Sequence, residues 1–272
     1  MAPKFSSVWL NELTWEEVAE YLKREDIIIF PIGSTEQHGP AGPLGLDTYV
    51  AISLAEDVAR RAGVLCTPPL WFGDSSHHLG FPGTVSLRTE TIISIVRDIA
   101  SSLAKHGFRN ILIINGHKGA NLPALLAATR ELREYQMPQV FFAVIDPMKV
   151  GRGASKLKEA REHHCGELEF SEVWYKYPHL IKADKLTEEA PDLRQFFSPF
   201  FQEDLFGGGG DDIIDIPWTS QEEREFAPSG SLSVSSRASP KKGQRYHDYM
   251  VERIVEFIQW LRQRRGPIAR QP

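Results

Sequence analysis

PIGSTEQHGPAGPLGLD, residues 31–47, follows directly on the apolar run Ile27-Ile28-Ile29-Phe30. An apolar run with no polar break predicts a buried strand, and Gly33 and Ser34 end it. Just beyond come Glu36 and His38 and then, after a loop holding Pro40, Gly42, Pro43 and Gly45, Asp47. Glu36 and His38 are two residues apart, so in an extended segment their side chains point the same way. A carboxylate, an imidazole and a second carboxylate at one strand end make a donor set for a divalent metal. The plainer reading is a polar loop in which Asp47 caps a helix starting near Thr48. The spacing alone leaves both open.

The chain has 272 residues, 42% apolar and 25% charged, which suits one large α/β domain able to bury a core without staples. A net charge of -5 argues against nucleic acid as a partner, because phosphate binding needs a basic face. Cys66 and Cys165 form no C-x-x-C pair and suggest no disulfide framework, so a cytoplasmic location is expected. The first twelve residues lack the apolar core of a signal peptide. No apolar run approaches the ~20 residues of a membrane helix, so no membrane partner is expected.

Outward from this stretch, a capping box at Thr14 and Glu17 opens a helix over 13–24, and apolar periodicity predicts another over 47–61. Residues 64–69 read as a short strand stopped by prolines. The loop 71–87 carries His77 and His78; on a strand the two would diverge, so at most one should face a site. A helix over 88–106 ends at Gly107. Residues 110–114, NILII, read as a central strand of a parallel sheet covered on both faces. The turn NGHKGAN, 115–121, and a helix over 122–135 follow. Open α/β sheets place sites at such a strand–turn–helix junction. A phosphate cradle is the competing reading, weakened by the lack of G-x-G-x-x-G or a Walker pattern. A strand over 139–145, a polar helix over 154–163, the segment HCGELEFS at 164–171 and a last helix over 243–264 complete the regular part, with 264–272 expected to fray. Residues 175–226 lack periodicity, yet their phenylalanines argue against a free linker. They are expected to cover the site or a subunit interface. The expected fold is α/β, a three-layer α/β/α arrangement with a mostly parallel central sheet. It is expected to be one domain over 1–272 with an irregular insertion at about 175–226.

Taken together, PIGSTEQHGP with Asp47, FPGT at 81–84, INGH at 114–117 and HCGELEFS at 164–171 resemble, in order, the motifs of the creatininase (creatinine amidohydrolase) family. The resemblance implies a metal-dependent hydrolase with two divalent ions of the Zn, Mn or Fe type. Glu36 and His117 would hold the first, His38 the second, and Asp47 would bridge them. The family's second-metal carboxylate falls at Gly119, so Glu169 is the candidate replacement. His164 matches the family's catalytic histidine, and Glu169 stands beside it as a site residue. Ala41 and Ala120 occupy positions where the family commonly has His and Asn.

The implied reaction is attack of a metal-bridged hydroxide on the carbonyl of a small cyclic or linear amide. The alternatives are hydrolytic C–C opening of a cyclic ketone such as a keto-inositol, or an idle family member with a binding or assembly role. A nucleotide-binding module is a further reading, resting only on the turn at His117. The implied partners are a small-molecule substrate and further copies of the chain, as in a hexamer.

Overall fold

The computed structural model describes residues 6–207 and 213–265. In chain order its main elements are α1 (Trp15–Leu22), β1 (Ile27–Ile32), α2 (Leu46–Ala62), β2 (Leu65–Cys66), α3 (Thr89–His106), β3 (Asn110–Asn115), α4 (Lys118–Glu131), β4 (Phe141–Ile145), α5 (Pro147–Gly151), α6 (Glu167–Lys176), α7 (Leu193–Phe196), α8 (Ser220–Phe226) and α9 (Pro240–Arg265). The four strands are all parallel, in the order β2-β1-β3-β4. β1 and β3 pair over their full length, from Ile27 opposite Asn110 to Ile32 opposite Asn115.

The unbroken apolar runs make sense once the two-residue repeat of a strand divides them. Ile27 and Ile29 join Leu112 and Ile114 in a core shared with α2, α6 and α9. Ile28, Phe30 and Ile32 join Ile111 and Ile113 in a second core shared with α1, α3 and α4. A polar residue at any of these strand positions would lie in one core or the other. Each fully buried Ile or Leu adds about 1.5–3 kcal/mol. The result is the expected α/β/α sandwich.

The chain leaves β1 toward β2 and leaves β3 toward β4, in opposite directions across the sheet. The strand order therefore reverses between β1 and β3, and a crevice opens outside their carboxyl ends. Two glycines let α2 close the base of that crevice. A Cβ on Gly116 would lie 1.9 Å from the Asp47 carbonyl oxygen, and one on Gly33 would lie 2.4 Å from the Thr48 backbone.

Several local expectations shift. Residues 154–163 form no α-helix. A 3-10 turn spans Arg152–Leu157, and irregular chain follows. The polar groups here serve the start of α6 instead: Glu162 accepts from the Leu168 and Glu169 N–H groups, and Glu167 accepts from the Glu159 N–H. The second strand shrinks to Leu65–Cys66, since Pro68 and Pro69 have no N–H for a ladder. α4 begins at Lys118, ahead of its expected start, with Pro123 inside it. The tail expected to fray is helical through Arg265 and otherwise lies outside the described residues. Among the described residues no helix is long and apolar enough to cross a membrane.

Gly116→Ala should push α2 off the strand ends and destabilise the fold by about 1–3 kcal/mol, as overpacking does. A thermal midpoint equal to that of the unchanged protein would show that the contact is not limiting.

Candidate metal centre and cavity

Asp47 lies in the first turn of α2, whose N-cap is Gly45, so Asp47 is not the cap. Its carboxylate, buried and held by the Ser34 hydroxyl at 2.7 Å, faces the carboxyl ends of β1 and β3. The two oxygens look at different imidazoles: Oδ1 is 3.4 Å from His38 Nε2, and Oδ2 is 2.9 Å from His117 Nδ1. His117 lies two residues past β3 as the N-cap of α4, and its Nε2 is 3.1 Å from Glu36 Oε2. The first donor set is thus Glu36, Asp47 and His117, with ligand atoms within 4.8 Å of one another. His38, His164 and Glu169 form a second such set, and Glu36, His78 and His164 a third.

Two atoms in these sets are buried without a hydrogen-bond partner, Glu36 Oε2 and His38 Nε2. The neighbouring His117 Nε2 does not serve Glu36, since it sits 2.7 Å from the Asp74 carbonyl. Buried polar atoms are nearly always satisfied, so a pair of orphans aimed into one cluster fits a missing cation. Mixed carboxylate and imidazole donors suit first-row divalent ions.

Glu167 and Glu169 separate as a helix requires. Glu167 turns away, held by Lys242 and the Glu159 N–H. Glu169 turns inward, 4.0 Å from His38 Nε2 and ion-paired with Lys118.

The charges reinforce one another. Burial opposes ionisation of Glu36, yet His117 and His78 hold it down at about 2. Asp47 is likewise kept well below the carboxylate range, the His38 and His117 charges outweighing burial. Burial disfavours charge on His117 and His78, but the carboxylates around them raise the two to about 9 and about 10. His164 goes the other way. Burial, with the charges of His78 and His38 beside it, keeps it neutral well below the usual histidine range. Its Nε2 lies 2.8 Å from the Gln37 backbone carbonyl and 2.9 Å from the Gln37 side-chain amide nitrogen; in the tautomer that donates to the carbonyl, Nδ1 is the base, 3.7 Å from Glu36.

His77 and His78 lie in a 3-10 turn, Ser76–His78, not on a strand, and both line the cavity. Sequence reading missed what fixes His78. Glu223 of α8, fully buried, accepts from His78 Nδ1 at 2.6 Å, Gln37 Nε2 at 3.0 Å and Trp218 Nε1 at 3.2 Å. The available signal was the capping box Thr219–Glu222, which fixes where α8 starts. Within the run SQEEREF, Glu223 itself reads as one more solvated acid.

The cavity above these groups measures about 560 Å³. Its roof comes from the irregular stretch, through Phe201, Leu205, Ile216 and Trp218. Part of the stretch 175–226 thus lines this cavity.

Creatinine amidohydrolase of Pseudomonas putida is 27% identical over 93% of this chain and 96% of its own length. The 3-dehydro-scyllo-inosose hydrolase of Thermotoga maritima is 30% identical over 68% of this chain, and the match spans 61% of that enzyme. A manganese form of creatininase superposes with a TM-score of 0.76 at 26% identity, covering 94% of this chain and 99% of that one. With the family profile described as creatinine amidohydrolase matching residues 11–258, the chain belongs to the creatininase family of hydrolases.

Proposed function

We propose that the chain is a metal-dependent hydrolase of a carbonyl C–N bond, in a small cyclic or linear amide. One ion would be held by Glu36, Asp47 and His117. A second, also Zn²⁺, Mn²⁺ or Fe²⁺, would be held by His38, Glu169 and the other oxygen of Asp47. The observation that carries the reading is Asp47, whose two oxygens face His117 and His38 separately, as a bridging carboxylate must. When bound, paired divalent ions lower the pKa of water and polarise a carbonyl oxygen.

The chain's own groups do the rest. Glu36, Asp47 and Glu169 supply three negative charges to offset the cations. Neutral His164 takes a proton on Nδ1 and returns it to the leaving nitrogen. The Gln37 carbonyl orients that ring, and Glu223 orients His78 against Glu36. The apolar roof limits water beside the site.

The Thermotoga relative, named for an inosose, favours a second reading in which the same attack opens a carbocyclic ketone. Two buried, unpaired cysteines suit a reducing cytoplasm.

Asp47→Ala and His38→Ala should each strip bound metal and abolish hydrolysis while leaving the circular dichroism spectrum intact. Purified protein with no divalent ion, and none taken up from added Zn²⁺ or Mn²⁺, would sink the assignment. Glu169→Gln should lower occupancy from two ions to about one per chain, whereas Glu167→Gln should keep both. Element analysis of the two variants distinguishes them.

His164→Ala should keep its metal but lose about 10²–10⁴ in kcat/KM, the usual share of a general acid–base. A panel of cyclic amides, linear amides and cyclic ketones both finds the substrate class and checks this. Turnover of the ketones alone would replace the C–N reading by the C–C one.

Phe200, Ile213 and Ile214 are exposed and joined through backbone hydrogen bonds, and Phe196 is exposed nearby in sequence, which supports a homo-oligomer such as a hexamer. Light scattering at micromolar concentration should give a multiple of the 30.7 kDa chain mass, and a monomer would contradict it.

A further inference from the structure

Glu169, the carboxylate assigned above to the second ion, already has a partner on each oxygen. Oε2 accepts the Cys165 N–H at 2.8 Å, and Oε1 is ion-paired with the ammonium of Lys118. Lys118 directly follows His117 as the first residue of α4, and its side chain is only 11% exposed. In the first donor set Glu36 Oε2 has no hydrogen-bond partner, and the groups facing Glu36 and Asp47 are imidazoles, which become ligands by losing a proton, as an ammonium does not.

Charge shows the same asymmetry. Glu36, Asp47 and Glu169 carry three negative charges. One divalent ion and the Lys118 ammonium neutralise them. A second divalent ion added beside the ammonium would leave a surplus of two positive charges in a buried site, which is costly. Position 119 does not help, because Gly119 offers no carboxylate.

Resting on the reading that the chain binds two ions, we propose that Lys118 is a built-in rival for the second. Its ammonium holds Glu169 until an ion displaces it. The ions therefore load in order, the first tightly on Glu36, Asp47 and His117, the second weakly on the Glu169 side. Lys118 also lines the cavity, so a displaced ammonium can turn into it.

The test is a titration of the metal-free, full-length chain with Mn²⁺. Bound ions are counted by equilibrium dialysis, and pairing of the two is read from spin coupling. Wild type should bind one Mn²⁺ tightly and a second on the order of 100-fold more weakly. Lys118→Met should tighten the second step by a similar factor, roughly 100-fold, and change the first little. Lys118→Arg, which keeps the charge, should stay like wild type. The proposal is overturned by equal tightness of both ions in wild type. It is also overturned by a second step just as weak in Lys118→Met, or by tightening in Lys118→Arg. Binding of no Mn²⁺ by any of the three proteins would instead remove the metal reading itself, and this proposal with it.

Discussion

Everything at the site depends on how closely the first turn of α2 sits on the ends of β1 and β3. Gly116 and Gly33 make that approach possible, because a Cβ at either would overlap the backbone of Asp47 or Thr48. The approach sets Asp47 between the two strand ends, where one carboxylate reaches both His38 and His117. The sheet order puts its reversal at the same place. Fold and site are therefore specified by one contact. A substitution that spoiled it would cost stability and donor geometry together.

That arrangement gathers charges where burial penalises them. Three carboxylates and several imidazoles lie within a few ångströms of one another, nearly all out of water. Ion pairing outweighs desolvation at these groups, which is why Glu36 and Asp47 are lowered and His117 and His78 raised. Glu223 extends the balance outward by stabilising the charge on His78 from the side away from Glu36. Burial keeps His164, His77 and His163 neutral beside these charged groups.

The parallel sheet and its two covering layers were legible because a strand buried on both faces leaves an uninterrupted apolar run, which β1 and β3 both show. The gathering of Glu36, His38, Asp47 and His117 was legible in part, because Glu36, His38 and His117 lie within a few residues of the ends of β1 and β3, where the chain borders the crevice. Glu169 could be separated from Glu167 once the segment was helical, since two positions along a helix turn side chains about 200° apart. The part that was not legible depends on long-range pairing. Nothing local to SQEEREF marks Glu223, and nothing in NGHKGAN says that Lys118 turns onto a residue 51 positions later. The polar helix expected over 154–163 failed for the same reason, because the Glu162 side chain accepts from backbone N–H groups of α6 and the Glu159 N–H donates to Glu167 of α6.

The departures from the family pattern lie in different surroundings: Gly119 and Ala120 line the cavity, and Ala41 does not. A Cβ at Gly119 would meet nothing within 4 Å, so a side chain there is sterically free, and its absence is a change of chemistry rather than of packing. Ala41 is the opposite case. It is buried in the core beneath α2, and its carbonyl accepts the Lys182 N–H, tying down the start of the irregular stretch. A histidine at 41 would have to displace that packing to reach the cavity. The stretch anchored there goes on to supply Phe201, Ile216 and Trp218 to the roof and Glu223 to the charge network.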